Sequence, residues 1–260
     1  QNNKFQVTEE FKVQRSGRTQ HYIPDVVILV NGMPIASIEC KKPGLPDAIS
    51  KGIEQHIRNQ NKEGITKFYL FQQILGSMAG STGAKYGSVG TPEEFWGIWK
   101  EDNYLSKEDE LKQLVNRGVD QKTKERMFSF RSNSDREVME SKWKDDREVT
   151  VQDQLLFHVF RPERLLDIFH NYIIYEDFTK IAPRHQQYFA VKEALKRVKQ
   201  KKDDGAREGG VIWHTTGSGK SYTMVMLAKA LSSDREIETP KIVVVTDRVD
   251  LDNQIKETFK

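Results

Sequence analysis

The chain has 260 residues, room for one large domain or two of ordinary size. Charged residues make up 30% and hydrophobic ones 37%, with 13 Phe, 8 Tyr and 4 Trp, which suffices for a core and excludes a disordered tail, a collagen or a disulfide scaffold. Lys and Arg number 41 against 38 Asp and Glu, a net of +3, so contact with nucleic acid would have to come from localised basic residues rather than bulk charge.

No apolar run approaches the roughly 18 residues of a membrane span, and no secretory signal opens the chain. The single cysteine, Cys40, cannot form an internal disulfide or a Cys-cluster zinc site, which fits a reducing cytoplasm. A first residue Gln1 and a helix-like ending at Lys260 point to a piece of something longer.

In chain order, Phe5 to Thr8, Phe11 to Val13 and Thr19 to Tyr22 alternate as strands, with a turn at Ser16-Gly17. Asp25 to Val30 and Met33 to Cys40 flank Asn31-Gly32, a strong hairpin signal. Both runs are apolar on both faces: Val27, Leu29 and Ile35 on one, Val26, Ile28 and Ile38 on the other. Helices should therefore cover this sheet on both sides. Residues 47 to 59 read as a helix with Asp47 as N-cap, Phe68 to Leu75 as a strand, and Gly76 to Thr91 as a long loop. Ser106 and Asp109 resemble a capping box opening a helix that ends near Gly118. Residues 120 to 150 are a charged, solvated, partly mobile segment.

From 151 helices dominate: Val151 to Phe160, one from Pro162 to about Tyr172, and one after Pro183 with the stripe Tyr188, Val191, Leu195 and Val198. Val211 to Trp213 is a short strand, Gly219 to Leu231 a helix, and Ile242 to Thr246 a buried-type strand, together a βαβ unit.

His214-Thr215-Thr216-Gly217-Ser218-Gly219-Lys220-Ser221 lies between that strand and helix, where a phosphate loop belongs. Glycines let successive N–H groups point at one anion, and the helix N-terminus adds positive partial charge. Thr216 to Ser221 would hold ATP, with Lys220 reaching the β- and γ-phosphates and Ser221 ligating Mg²⁺. Position 214 departs from the usual glycine. Gln186 resembles the adenine-reading glutamine of superfamily 2 helicases, and Val245-Thr246-Asp247-Arg248 resembles their DNA-contacting motif Ia. The chain holds only the opening of a RecA-like lobe, so it is expected not to turn ATP over by itself.

Asp25 opens one hairpin strand, and Glu39-Cys40-Lys41 closes the next. Two carboxylates and a lysine brought together form a Mg²⁺-dependent phosphodiesterase site: the carboxylates hold the cation, and the lysine orients water and stabilises developing charge. Strand alternation puts Glu39 and Lys41 on one face. A two-residue turn at Asn31-Gly32 would send Asp25 to the other face. The site therefore predicts a three-residue loop with Gly32 in a left-handed bulge, or a bulge elsewhere.

The stretches Asp25 to Gly44 and Ile212 to Ser221, in this order, resemble the R (restriction and translocation) subunit of type I restriction–modification enzymes. The resemblance covers the front part of such a subunit. It implies an α/β chain: a PD-(D/E)xK restriction-endonuclease-like domain over residues 1–150, connecting helices over 151–180, and the first part of a RecA-like P-loop lobe over 181–260. It puts Asp25, Glu39 and Lys41 on the catalytic positions and the carbonyl of Cys40 among the metal ligands with Asp25 and Glu39. Gln55 matches the glutamine of a Gln-x-x-x-Tyr motif, whose tyrosine position is Asn59. The implied cofactors are Mg²⁺ and ATP. The implied partners are double-stranded DNA and separate methylation and specificity subunits, in the cytoplasm and with no membrane. Lys12, Arg15, Arg18 and His21 are candidates for DNA phosphates, and Phe95, Trp96 and Trp99 are expected to pack. The competing reading is a superfamily 2 helicase or repair translocase whose N-terminal domain binds DNA or docks to other subunits without cutting.

Overall fold

The computed structural model describes residues 2–101, 104–143, 145–176 and 179–245. Its centre is a mixed five-stranded sheet. Strands β1 (Phe5–Glu9), β4 (Val26–Val30) and β5 (Met33–Cys40) pair with one another antiparallel, in that order. A small hairpin of β2 (Val13–Gln14) and β3 (His21–Tyr22) stands apart from that sheet. After β5 come α1 (Ala48–Gln60) and the short α2 (Thr66–Tyr69), then β6 (Ile74–Met78), which lies parallel to β5. Strand β7 (Ala84–Gly87) closes the order β1-β4-β5-β6-β7.

Both faces of the sheet are covered, as doubly apolar strands require. On one face Val27, Leu75, Ile53, Phe68 and Trp96 pack together under α1 and α2. On the other, Ile28, Val30, Ala36, Ile38 and Ile74 meet residues from far along the chain, out to Met226 and Ala230. Ile35 joins this second face, not the first as alternation suggests, because of a bulge described below.

Several local expectations need correction. The run Phe68 to Leu75 is not one strand: α2 takes its start, and β6 begins only at Ile74. The expected loop from Gly76 to Thr91 contains β7 and the end of β6. Its small residues are there for packing: a Cβ on Gly76 would come within 3.0 Å of Phe160. Asp47 sits at the start of α1 in a left-handed conformation and makes no side-chain cap.

Helix α3 (Tyr104–Val115) begins before Ser106, which therefore lies inside it and is not its N-cap. The charged stretch contains two helices, α4 (Gln121–Phe128) and α5 (Asn133–Lys142), capped by Asp120 and Ser132 side chains. Only Phe128 is buried in them.

Helix α6 (Val151–Leu155) opens with a full capping box from Thr150 and Asp153 and widens into a π-helical turn to Phe160. Helix α7 (Pro162–Asp167) widens likewise through Tyr172. An unanticipated hairpin follows, β8 (Ile174–Glu176) with β9 (Thr179–Ile181). Then come α8 (His185–Lys199) and α9 (Lys220–Ser233).

The βαβ unit expected around α9 is not formed among the described residues. Val211 to Trp213 carry no ladder, and Val211 and Trp213 are 88% and 89% exposed. Residues 242–245 are likewise exposed and carry no ladder, while Thr246 and the rest of the helicase-like motif at 245–248 lie outside the described residues. A parallel strand is stable when neighbours bond both edges and helices cover both faces, and neither segment has such neighbours here.

Candidate active site and phosphate loop

Hairpin geometry decides whether the carboxylates meet. Asn31 and Gly32 both have positive φ, 53° and 82°, so the turn is the two-residue primed type, and Val30 pairs with Met33. The expected three-residue loop is not used. Parity is restored one turn further on: Leu29 pairs with Pro34 but Ile28 pairs with Ala36, leaving Ile35 as an extra residue in β5. Beyond the bulge Val26 pairs with Ile38, and continuing that register sets Asp25 beside Glu39.

The four side chains expected to act together do come together. Lys41 Nζ donates to Gln55 Oε1 at 2.8 Å and lies 3.5 Å from Glu39 Oε2 and 3.7 Å from Asp25 Oδ2. Asp25 Oδ2 also accepts the backbone N–H of Cys40 at 2.7 Å. Glu39 is fully buried, and its Oε1 has no hydrogen-bond partner. Burial, and then the neighbouring charge of Asp25, push its carboxyl up to about 8, against the opposing pull of Lys41.

Helix α1 carries Gln55 to this place because Gly52 allows close approach. A Cβ at Gly52 would lie 2.2 Å from Ser77 Oγ and 3.6 Å from Glu39 Cβ. Ser77 Oγ in turn donates to the carbonyl of Ile49 at 2.8 Å, bonding β6 to α1. Below, His56 bridges Tyr69 OH and the Gly76 carbonyl, each at 2.9 Å. Asn59, at the motif's tyrosine position, is buried.

These residues fit a hard divalent cation. Two carboxylates lie close together, and one has a buried oxygen without a partner. Asp25, Glu39 and the carbonyl of Cys40 are the residues that would hold it. No group of three or more His, Cys, Asp or Glu suited to a metal occurs among the described residues, so water or phosphate oxygens would complete the shell.

The basic residues ahead of Asp25 are partly engaged. Arg15 donates to the Glu63 carbonyl and to Gln20, and its guanidinium lies 4.7 Å from the Tyr22 ring centre. Arg18 pairs with Glu63 at 2.6 Å. Both tie the β2–β3 hairpin to the segment after α1. Lys12 and His21 remain exposed.

At the phosphate loop, Gly217 and Gly219 adopt φ of 78° and 79°, and Gly219 caps α9. Lys220 Nζ donates to the carbonyls of His214 and Thr215 at 3.3 and 3.0 Å, which turns the ammonium back onto the loop. Ser218 is buried and Thr216 exposed, while Ser221 lies half-buried in the first turn of α9.

The glutamine that touches this loop is Gln187, one residue beyond Gln186. Gln187 Nε2 donates to the carbonyls of Ser218 and Gly219 at 3.3 and 3.0 Å, and its Oε1 accepts the N–H of Arg184. Gln186 makes no such contact: its Oε1 is buried without a partner. The signal for Gln187 was its spacing, three residues after the cap residue Arg184. Trp96 and Trp99 are buried as expected, but Phe95 is 59% exposed.

The sequence profile of the type I restriction enzyme R protein N terminus matches residues 1–95, and that of the SWI2/SNF2 ATPases matches residues 186–260. The two matches lie at opposite ends of the chain, in that order. It is 30% identical, over 99% of its length, to the type I restriction enzyme HindI endonuclease subunit of Haemophilus influenzae, of which it covers 21%. Identity is 29% over 99% of the chain to a Methanocaldococcus jannaschii relative named for the type I endonuclease subunit MjaIXP, and 26% over 99% to a Staphylococcus aureus endonuclease subunit. It covers 23% and 22% of those two relatives. The chain is thus similar over nearly its whole length to type I restriction enzyme endonuclease subunits and spans about a fifth of the length of these curated relatives.

Proposed function

We propose that the chain carries the nuclease centre and the start of the ATP-driven motor of a type I restriction enzyme. The convergence of Asp25, Glu39 and Gln55 on Lys41 Nζ carries this reading. In it, residues 1–150 form a PD-(D/E)xK-type nuclease domain, 151–180 connect, and 181–260 begin a RecA-like lobe.

Asp25, Glu39 and the Cys40 carbonyl would hold Mg²⁺, which would offset charge on the scissile phosphate and acidify an attacking water. Lys41 presents its ammonium to the developing phosphorane charge and to that water. Gln55, accepting from Lys41, keeps the amine from turning away, and buried Ser77 and Gly52 keep Gln55 in place. ATP sits at Thr216 to Ser221, with Gln187 bracing the loop from below. Turnover needs parts beyond these residues. The substrate is double-stranded DNA, delivered in the cytoplasm by separate methylation and specificity subunits.

The test uses the full-length protein reconstituted with those subunits on circular DNA bearing the site. Lys41→Ala should abolish cleavage while ATP hydrolysis survives. Persistent cleavage would remove Lys41, and with it this centre, from the chemistry.

A further inference from the structure

Beside the phosphate loop lies a cavity of about 510 Å³, within the range of small-ligand sites. Two distant parts of the chain line it. One wall is Gly217 to Gly219 with Tyr222 from the first turn of α9. The facing wall is the loop after β7, with Thr91, Pro92 and Phe95. Arg184 and Gln187 close it at the start of α8.

The facing wall is firmly built. Ser88 Oγ donates to the Gln73 carbonyl at 2.6 Å, and the Ser88 N–H donates to Thr91 Oγ1 at 3.2 Å. The Lys180 N–H donates to the Val89 carbonyl at 3.1 Å, and Tyr86 OH to the Pro183 carbonyl at 2.8 Å. The loop after β7 is therefore fastened to β9, and β7 itself to the lead into α8.

A nucleotide held by its phosphates at Gly217 to Lys220 must place its base and sugar in adjoining space. A base offers two flat π-faces and suits aromatic and apolar walls. Phe95, 59% exposed although flanked by the buried Trp96, is such a wall, and Tyr222 also lines the cavity.

We infer that the nucleoside of the bound nucleotide seats against Pro92 and Phe95, so that the nuclease part supplies one wall of the nucleotide site. This rests on the phosphate-loop reading above. A nucleotide held this way contacts both parts at once, and its binding free energy adds to their attachment.

Calorimetric titration of the full-length protein tests this, with Mg²⁺ and either the β,γ-imido analogue of ATP or inorganic tripolyphosphate. Phe95→Ala, an exposed position, should weaken the nucleotide about tenfold, the order of one lost base stack, and leave tripolyphosphate unchanged. Hydrogen exchange over residues 88–97 should slow with the nucleotide and not with tripolyphosphate. If Phe95→Ala leaves both affinities alone, or lowers both equally, the inference fails while the phosphate-loop reading stands. If Lys220→Ala leaves both affinities unchanged, the phosphate-loop reading fails and takes the inference with it.

Discussion

The backbone N–H of Cys40 donates to Asp25 Oδ2 at 2.7 Å, joining the end of β5 to the start of β4. This bond exists because Ile35 bulges. Without that extra residue, the two-residue turn would put Asp25 and Glu39 on opposite faces of the sheet.

Mg²⁺ and pH should act on stability through Glu39. Its carboxyl is raised to about 8 in the fold by burial and by Asp25, whereas in the unfolded chain it titrates near 4.5. Between those values the folded protein holds a proton the unfolded chain has lost, so metal-free stability should fall as pH rises from about 4.5 to about 8. Thermal melts with chelator should show this slope, and added Mg²⁺ should raise Tm most at the alkaline end. Glu39→Gln should flatten the slope and remove the Mg²⁺ response.

His56 gives a slope of the opposite sign. Burial holds its imidazole down to about 4, neutral between Tyr69 OH and the Gly76 carbonyl. Below about 6.5 the unfolded chain gains a proton that the folded protein refuses until pH about 4, so its contribution is present above 6.5 and lost on acidification. The loss should be on the order of a few kcal/mol. Urea midpoints of wild type and His56→Gln, which keeps a donor and an acceptor without titrating, should diverge between pH 7 and 4.5. Parallel curves would show that His56 does not titrate in this way.

Gly52→Ala should cost about 1–3 kcal/mol by overpacking, since its Cβ would overlap Ser77 Oγ. It should also slow DNA cleavage by lifting Gln55 from Lys41, with ATP hydrolysis unchanged. Gly52→Ala with Ser77→Gly should recover most of the stability; chemical denaturation of both variants measures the coupling.

Glu101 is buried among donors. Against the cost of burial, bonds from His158, Arg164 and Trp99 hold its carboxyl down to about 2. Arg164 also lies 4.5 Å from the Tyr188 ring centre in α8. Arg164→Met should therefore cost about 3–5 kcal/mol by leaving a buried charge unpaired. Pairing it with Glu101→Gln should restore much of that, as read by urea unfolding at pH 7.

Much of the site was legible in the chain. Glu39 and Lys41 share a face by alternation alone, and the apolar runs around Asn31-Gly32 require a doubly covered sheet. The turn type was not legible, because Asn-Gly serves both a primed turn and a bulged loop, and a bulge at Ile35 leaves no mark in composition. Strand β6 was hidden because Gly76 and Ser77 are small for packing reasons, while propensity reads them as loop. Gln186 and Gln187 are not distinguishable in the sequence, because two adjacent glutamines differ only in which side of α8 they occupy. Gly52, inside an otherwise good helix, was the available sign of close approach.

One apolar core runs without interruption from Ile28 in β4 through Phe160 and Ile168 to Met226 and Ala230 in α9. Mechanically, the phosphate-loop helix and the sheet bearing Glu39 are coupled by close-packed side chains, which resist compression and transmit strain. A load applied at α9 is carried straight into that sheet, so helix and sheet move as one body and not as parts joined by a tether.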